Sequence, residues 1–201
     1  MLFDLHIHTS WHSPDSAIDP FQLARHARRI GLDGIVITEH DWLWTEAELN
    51  QLRAAVPGLV ILAGVEVSAH GGHVLCYGVT DPFAIPKNIP WPDLCDEVHR
   101  QGGVTVAAHP FRWGQPFERF YDEQRPAFDG VEVMSKNLDA GLRERVAAFQ
   151  ARHPHLARLG NSDAHGIGEV GCCRTEFDVE VSSNADLVAA IKGNRGTPRA
   201  F

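Results

Sequence analysis

Short apolar strands alternate with amphipathic helices along this chain, and that alternation limits the folds it can adopt. Apolar and polar side chains alternate over residues 2–8, which is the period of a half-buried strand. Asp19 and Pro20 then supply an N-cap and a first helical position, and Gly31 ends the helix. Residues 34–40 are almost continuously apolar, as in a strand buried on both faces. Together these segments predict a βαβ unit with parallel strands.

The alternation continues to the C-terminus. Thr45 and Glu48 form a capping box at the start of a second helix over 45–56, and the Gly71-Gly72 turn favours a hairpin. Further strands are predicted at 59–68, 73–79, 103–109, 130–135, 156–161 and 175–181, and helices at 92–101, 138–152 and 185–192, the last with Asn184 as N-cap. Because no repeat or linker interrupts the pattern, residues 1–201 are expected to form one α/β domain. Its largely parallel sheet is either open or closed into a barrel.

Composition excludes several classes of protein. The net charge of -8 argues against a basic nucleic-acid-binding surface, so no stable nucleic-acid partner is expected. The four cysteines contain no C-x-x-C pair and are expected to be reduced packing residues. No apolar run approaches the ~20 residues of a membrane span, and no signal peptide precedes the first strand. We therefore expect a cytoplasmic protein without a membrane partner.

Histidines and acidic residues follow the ends of the predicted strands. His6 and His8 are two positions apart, so their imidazoles point to one face of the first strand. Parallel strands end at one side of a sheet or barrel, where such folds place their active sites. His73 opens a strand instead, and a hairpin would bring it beside the end of its neighbour. Imidazole and carboxylate are ligands of zinc, manganese and iron, so the pattern predicts a metal centre. Its candidate ligands are His6, His8, Asp15, His40, Glu66, His73, His109, Asp163 and His165.

Seven short motifs occur in order along the chain. They are D-L-H-I-H-T at 4–9, S-P-D-S at 13–16, T-E-H-D at 38–41, G-V-E-V at 64–67, G-H-V-L at 72–75, A-H-P at 108–110 and S-D-A-H at 162–165. In this order they resemble the motifs of the polymerase and histidinol phosphatase (PHP) superfamily. The resemblance covers nearly the whole chain. It implies a distorted seven-stranded β/α barrel of the TIM-like kind that holds two or three divalent metal ions and hydrolyses phosphoesters.

The resemblance also assigns the candidate ligands to three metal positions. One ion would be held by His6, His8, Glu66 and Asp163, a second by Glu66, His73 and His109, and a third by Asp15, His40 and His165. Two features depart from the family pattern. Glu39 stands where the family usually has aspartate, beside the metals rather than on them. The loop before Asp15 is one residue longer than usual, which leaves His12 as an alternative ligand.

The implied reaction is hydrolysis of a small phosphomonoester or nucleotide by water activated between two metal ions. Glu66, Asp163 and His165 are the catalytic candidates, and either His165 or a metal-bound water would protonate the leaving group. Candidates to hold the substrate phosphate are Arg112, Lys136 and Arg174. Trp42, Trp44 and Trp113 would either stack on a substrate or pack a loop.

Two other functions remain open from the sequence. A bridging hydroxide also attacks amides, so a hydrolase of a C–N bond is one alternative. A non-catalytic, metal-binding regulatory domain is the other. The sequence leaves the native metal open among zinc, manganese and iron.

Overall fold

A computed structural model describes all of residues 1–201, which form nine strands and six α-helices. The strands are β1 (Leu2–Ile7), β2 (Gly34–His40), β3 (Val60–Ala69), β4 (Gly72–Tyr77), β5 (Val104–Ala107), β6 (Gly130–Met134), β7 (Ala157–Gly160), β8 (Cys173–Phe177) and β9 (Gly196–Ala200). The helices are α1 (Pro20–Arg29), α2 (Glu46–Ala55), α3 (Trp91–Arg100), α4 (Phe117–Gln124), α5 (Ala140–Arg152) and α6 (Asn184–Lys192). None of these helices is long and apolar enough to span a membrane.

All nine strands belong to one sheet in the order β7-β6-β5-β4-β3-β2-β1-β8-β9. Strands β1 to β3 are parallel to one another, as are β5 to β7, whereas β4 runs antiparallel to both of its neighbours. The two ends of the sheet approach each other at Gly160 of β7 and Thr175 of β8. Gly160 N donates a hydrogen bond to Thr175 Oγ1 over 3.0 Å, and Thr175 Oγ1 donates one to Gly160 O over 2.9 Å. The sheet is thus a nearly closed barrel. The prediction of seven strands is wrong, because the sheet has nine.

The β3–β4 hairpin is confirmed and decides where His73 lies. Gly71 and Gly72 have φ values of 118° and 143°, a region that favours glycine. The chain reverses through them, and Ser68 pairs with His73 across the antiparallel ladder. The start of β4 therefore lies beside the end of β3, at the side of the barrel where β1 and β2 also end.

Apolar side chains fill the barrel and the space between sheet and helices. The inner layer includes Phe3 and Phe177, whose rings meet edge to face at 5.9 Å, and Tyr77. Leu187 and Ile191 of α6 belong to the same cluster. Helices α1 and α2 cover one flank of the sheet, and α3, α4 and α5 cover the other.

Three local features differ from the sequence prediction. Strand β9 was not predicted, because Pro198 and its mostly exposed neighbours break the alternation; an edge position accommodates that proline. Helix α4 was also missed, since it spans eight residues and has no side-chain N-cap. The N-cap of α6 is Ser183, whose side chain accepts from Asp186 N, rather than Asn184.

Candidate metal centre

Glu66 is the common contact of the histidine cluster. It lies on β3 with 1% of its side chain exposed, and each carboxylate oxygen faces imidazole nitrogens. Its Oε2 is 3.3 Å from His6 Nε2, 3.2 Å from His8 Nε2 and 3.0 Å from His40 Nδ1. Its Oε1 is 2.9 Å from His73 Nδ1 and 3.0 Å from His109 Nε2. One buried carboxylate thus contacts imidazoles from β1, β2 and β4, from the loop just after β1 and from the loop after β5.

Asp163 provides the second buried carboxylate, just beyond β7. Its φ of 53° is left-handed, a conformation that aspartate tolerates better than most residues. Oδ1 lies 3.2 Å from both His6 Nε2 and His8 Nε2. Oδ2 accepts hydrogen bonds from Arg112 Nη1 at 3.1 Å and from Asn137 Nδ2. The two oxygens therefore face different ways, one toward the histidines and one toward the rim.

His6 on β1 and His8 just beyond it present the same ring nitrogen to these carboxylates. His6 Nε2 and His8 Nε2 lie only 3.1 Å apart. The other nitrogens are engaged elsewhere: His6 Nδ1 is 3.0 Å from Glu132 Oε1, and His8 Nδ1 is 3.2 Å from Ser13 Oγ. A register shift between Asp4 and Ile7 in the β1–β2 ladder accompanies this orientation.

Unpaired buried oxygens test whether these residues fit a metal. Glu66 Oε2 and Asp163 Oδ1 are buried and have no hydrogen-bond partner, although both face the paired Nε2 atoms. Buried carboxylate oxygens without a donor are costly unless a cation compensates them. Two carboxylates and two imidazoles form a donor set typical of zinc, manganese or iron. The residues therefore fit a divalent cation.

Three sets of side chains bring their ligand atoms within 4.8 Å of one another. They are His6, His8, Glu66 and Asp163; His40, Glu66 and His73; and His8, His40 and His165. The first equals one set implied by the resemblance. The second contains His40 where the resemblance has His109, whose Nε2 nevertheless contacts Glu66. Because His8 and His40 each occur in two sets, the structure does not assign every ligand to one ion.

Asp15, rather than His12, contacts two histidines of the third set. Asp15 Oδ2 is 3.2 Å from His40 Nε2 and 3.2 Å from His165 Nε2. His12 points elsewhere, with Nε2 2.9 Å from Glu48 Oε1 and its ring stacked on Trp42 at 5.0 Å. The longer loop therefore still delivers Asp15 to the centre.

The charges of the centre depend on one another. Burial disfavours both charged forms, yet the neighbouring histidines hold the pKa of Glu66 and of Asp163 well below their usual values. Burial likewise opposes protonation of His40, but Glu66 and Asp15 raise its pKa to about 9. The pKa of His165 is lowered by burial and by the adjacent His8. The carboxylates are thus anionic, and bound cations would displace protons from the cluster.

Two residues of the centre were missed by sequence reasoning. Glu132 on β6 is fully buried and contacts His6, and Asn137 contacts Asp163. A glutamate inside an otherwise apolar strand was a usable signal for Glu132, whereas Asn137 lies in a loop without a motif. Glu39, the departure from the family pattern, lies behind the metal centre, where it accepts hydrogen bonds from Ser13 Oγ and Thr9 N.

The three candidate phosphate-binding residues have different surroundings. Arg112 lies at the rim of the metal centre, where it donates a hydrogen bond to Asp163. Lys136 forms an ion pair with Glu169, whose carboxylate also accepts from His165 N at 2.9 Å. Arg174 is not brought to the site: its guanidinium lies over the ring of Phe201, 4.9 Å from the centroid. Only Arg112 therefore contacts one of the candidate ligands directly.

The tryptophans also separate into packing and exposed residues. Trp44 is 3% exposed and donates from Nε1 to Glu39 Oε1 at 2.9 Å, so it packs the loop. Trp42 is 44% exposed and stacks on His12. Trp113 is 73% exposed, and its ring centroid lies 6.4 Å from that of His109. Trp113 is therefore the tryptophan nearest to the histidine cluster that remains open to a ligand.

The fold and site together define a barrel with a cluster of histidines and carboxylates at the strand ends. A family model described as PHP-associated matches residues 142–195, the segment that contains Asp163 and His165. An uncharacterised protein of Methanocaldococcus jannaschii is 26% identical over 161 residues, which is 73% of this chain and 89% of that protein. Over residues 142–195 the chain is thus similar to PHP-associated proteins, in line with the resemblance of its ordered motifs.

Solved structures share the fold. A two-domain protein from Bacteroides vulgatus containing a predicted PHP-like metal-dependent phosphoesterase aligns over 100% of this chain and 65% of its own, at 19% identity and a TM-score of 0.76. An amidohydrolase from Chromobacterium violaceum, with bound sulfate and no metal, aligns over 83% of this chain and 88% of its own, at 20% identity and a TM-score of 0.65. At these identities the likeness is one of fold.

Proposed function

We propose that this protein is a metal-dependent phosphoesterase acting on a small phosphomonoester or nucleotide. The observation that carries the proposal is the pair of buried, unpaired oxygens, Glu66 Oε2 and Asp163 Oδ1, which face two imidazoles. Divalent ions bound there would neutralise phosphoryl charge and activate water for attack on phosphorus. The resemblance to PHP phosphoesterases supports the general chemistry, and zinc, manganese and iron all suit this donor set.

Residues of this chain would bind the cations, bind the phosphate and transfer the proton. Glu66 and Asp163 would hold the cations, and the imidazoles that surround them add no negative charge that would repel a phosphate. Arg112 donates to a phosphoryl oxygen, because a guanidinium forms paired hydrogen bonds with phosphate. Burial and the adjacent His8 lower the pKa of His165, so its imidazole is neutral near pH 7; it would take up the proton that the attacking water loses and pass it to the leaving alkoxide.

A hydrolase of a C–N bond is the second candidate, favoured by the shared fold of the Chromobacterium violaceum amidohydrolase. Amidohydrolases often use a carboxylated lysine as the bridging ligand. This chain has three lysines, and Lys136, the one near the centre, is paired with Glu169. Glu66 already occupies the central position, which argues for the phosphoesterase.

The test is hydrolysis by protein loaded separately with zinc, manganese and iron. Substrates are a panel of phosphomonoesters and nucleotides, a phosphodiester and a set of amides. We expect phosphate release from monoesters, loss of activity by at least ~100-fold in His8→Ala, and no change in His155→Ala. His155 is exposed and lies outside the cluster, so it is a matched control for the substitution.

Two results would favour a different function for this protein. Turnover of amides without release of phosphate from any ester would favour the C–N hydrolase. Bound metal without turnover of any substrate would favour a non-catalytic regulatory domain.

A further inference from the structure

Glu132 contacts two candidate metal ligands, one on β1 and one in the loop after β5, without being a member of any ligand set. It lies in the interior of β6, fully buried. Oε1 lies 3.0 Å from His6 Nδ1 and accepts a hydrogen bond from Asn161 Nδ2 at 2.8 Å. Oε2 accepts a hydrogen bond from the backbone N of His109 at 2.7 Å. Every one of these contacts uses the carboxylate as an acceptor.

The contact with His6 fixes which nitrogen of its ring faces the centre. A carboxylate accepts but does not donate, so the ring hydrogen of His6 resides on Nδ1. Nε2 is then the nitrogen that faces Glu66 Oε2 and Asp163 Oδ1, at 3.3 and 3.2 Å. Ligating histidines are commonly oriented in this way by a carboxylate on the other nitrogen.

The contact with His109 acts on the backbone instead of the ring. His109 has a φ of 28°, an unfavourable value for a residue with a side chain. Such a conformation persists only where its surroundings hold it. The short bond from His109 N to Glu132 Oε2 is one such restraint, and it turns Nε2 of His109 toward Glu66 Oε1 at 3.0 Å.

The local shape of β6 favours this double role. The β6–β7 ladder shifts register between Glu132 and Met134, and such irregularities redirect side chains near active sites. Asn161, immediately after β7, fills the remaining acceptor position of Oε1. The carboxylate is therefore held from three directions and cannot rotate without breaking a buried hydrogen bond.

We propose that Glu132 is a positioning residue that aligns His6 and His109 together and so couples two parts of the metal centre. The proposal rests on the proposed function, because it concerns ligands of the same centre. It goes further in naming one residue outside the ligand sets on which binding at both positions depends.

The decisive variant is Glu132→Gln, which keeps the size of the side chain but replaces one of the two acceptor oxygens with an NH2 group. The present contacts use both oxygens as acceptors. Either His6 or His109 N then faces an amide NH2. Titration with zinc should show affinities weakened by ~10- to 100-fold, the usual cost of losing such a partner. The weakening should extend to more than one bound ion. Glu176→Gln, an exposed glutamate on β8, is the control and should bind zinc like the wild type.

A second readout separates positioning from general destabilisation. In the wild type, the His6 Nδ1 proton should give a downfield NMR signal that exchanges slowly with solvent, assigned by its loss in His6→Ala. That signal should vanish or move in Glu132→Gln while the dispersion of the remaining spectrum shows a folded protein. If Glu132→Gln fails to fold, Glu132→Asp, which keeps the carboxylate but shortens its reach, takes its place with the same expectations.

The outcomes of the two proposals are distinguishable. Unchanged zinc affinity in a folded Glu132 variant, or an unchanged Nδ1 signal, overturns the positioning role even if the enzyme is an active phosphoesterase. Wild-type protein that binds zinc but hydrolyses no ester refutes the proposed function, and the zinc affinities and the proton signal still decide the role of Glu132. Wild-type protein that binds no divalent metal overturns both.

Discussion

Arg112 donates a hydrogen bond from Nη1 to Oδ2 of Asp163 over 3.1 Å, at the open edge of the histidine cluster. The guanidinium also lies over the ring of Trp113, 4.0 Å from its centroid. This geometry places a fixed positive charge beside a candidate metal ligand without making it a ligand. A substrate phosphate that reaches the centre would pass within reach of that charge.

Replacing Arg112 with alanine should weaken catalysis but spare the metals. A hydrogen bond to a charged group contributes about 1.5–3 kcal/mol, so we expect kcat/KM to fall by roughly 10- to 150-fold. Steady-state kinetics measure the fall, and Arg119→Ala, which removes an exposed arginine paired with Glu123, is the control. A loss of bound metal in Arg112→Ala would instead show that this arginine holds the centre together.

Asp15 and His12 should differ in their effect on metal content. Asp15 contacts both His40 and His165, whereas His12 contacts Glu48. Asp15→Ala should therefore lower the number of bound ions by one or weaken the last ion to bind, and His12→Ala should leave the metal content unchanged. Elemental analysis after dialysis measures both. The reverse pattern would identify His12 as the ligand.

Trp44 should matter for stability and not for substrate binding. Its indole donates to the buried carboxylate of Glu39, and removing one partner of a buried charged group costs about 1–3 kcal/mol. Trp44→Phe should lower the free energy of unfolding by that amount, measured with urea. Trp42→Phe, at an exposed position, should change stability by less than ~0.5 kcal/mol. An increased KM with unchanged stability in Trp44→Phe would contradict a packing role.

Tyr77 should make the fold sensitive to alkaline pH. Burial raises the pKa of Tyr77 well above 10, its usual value, and its hydroxyl donates to Leu5 O at 3.0 Å. Because the folded-state pKa is raised, the contribution of Tyr77 to stability is intact below pH 10. It declines by up to ~1.4 kcal/mol for each pH unit above 10, where the unfolded state alone ionises.

Tyr77→Phe tests that slope. The variant should be less stable than wild type at pH 8 by about 1 kcal/mol, because one hydrogen bond is lost. The difference should shrink or reverse between pH 10 and 11.5 when unfolding is measured at each pH. Parallel stability curves for the two proteins over that range would refute the assignment.

Much of the fold follows from the sequence because buried parallel strands have a distinctive pattern. The segment 34–40 is recognisable from its nearly continuous apolar residues, and the Gly71-Gly72 turn indicates the hairpin. Strand β9 pairs at an edge through its backbone, so its side chains carry little of that signal. The strand number therefore had to come from the structure.

The sequence could predict which residues gather at the site, but not how their side chains are arranged. Strand ends placed the nine candidate residues at one side, yet only side-chain directions show that Glu66 contacts five imidazoles. Arg174 illustrates the limit: it follows the S-D-A-H motif closely, but β8 carries it to Phe201. Glu132 belongs to none of the seven motifs, because its partners are distant in sequence.

The central claim is that Glu66 joins the candidate ligands into one divalent-metal centre, and metal content tests it most directly. Wild-type protein, Glu66→Gln and the control Glu176→Gln would be purified without chelator, dialysed and analysed for zinc, manganese and iron. We predict two or three ions per chain for the wild type and the control, and at most one for Glu66→Gln, since the glutamine removes the only anion shared by the histidines of β1, β2 and β4. Equal metal content in Glu66→Gln and wild type, or no bound metal in either, would contradict the account.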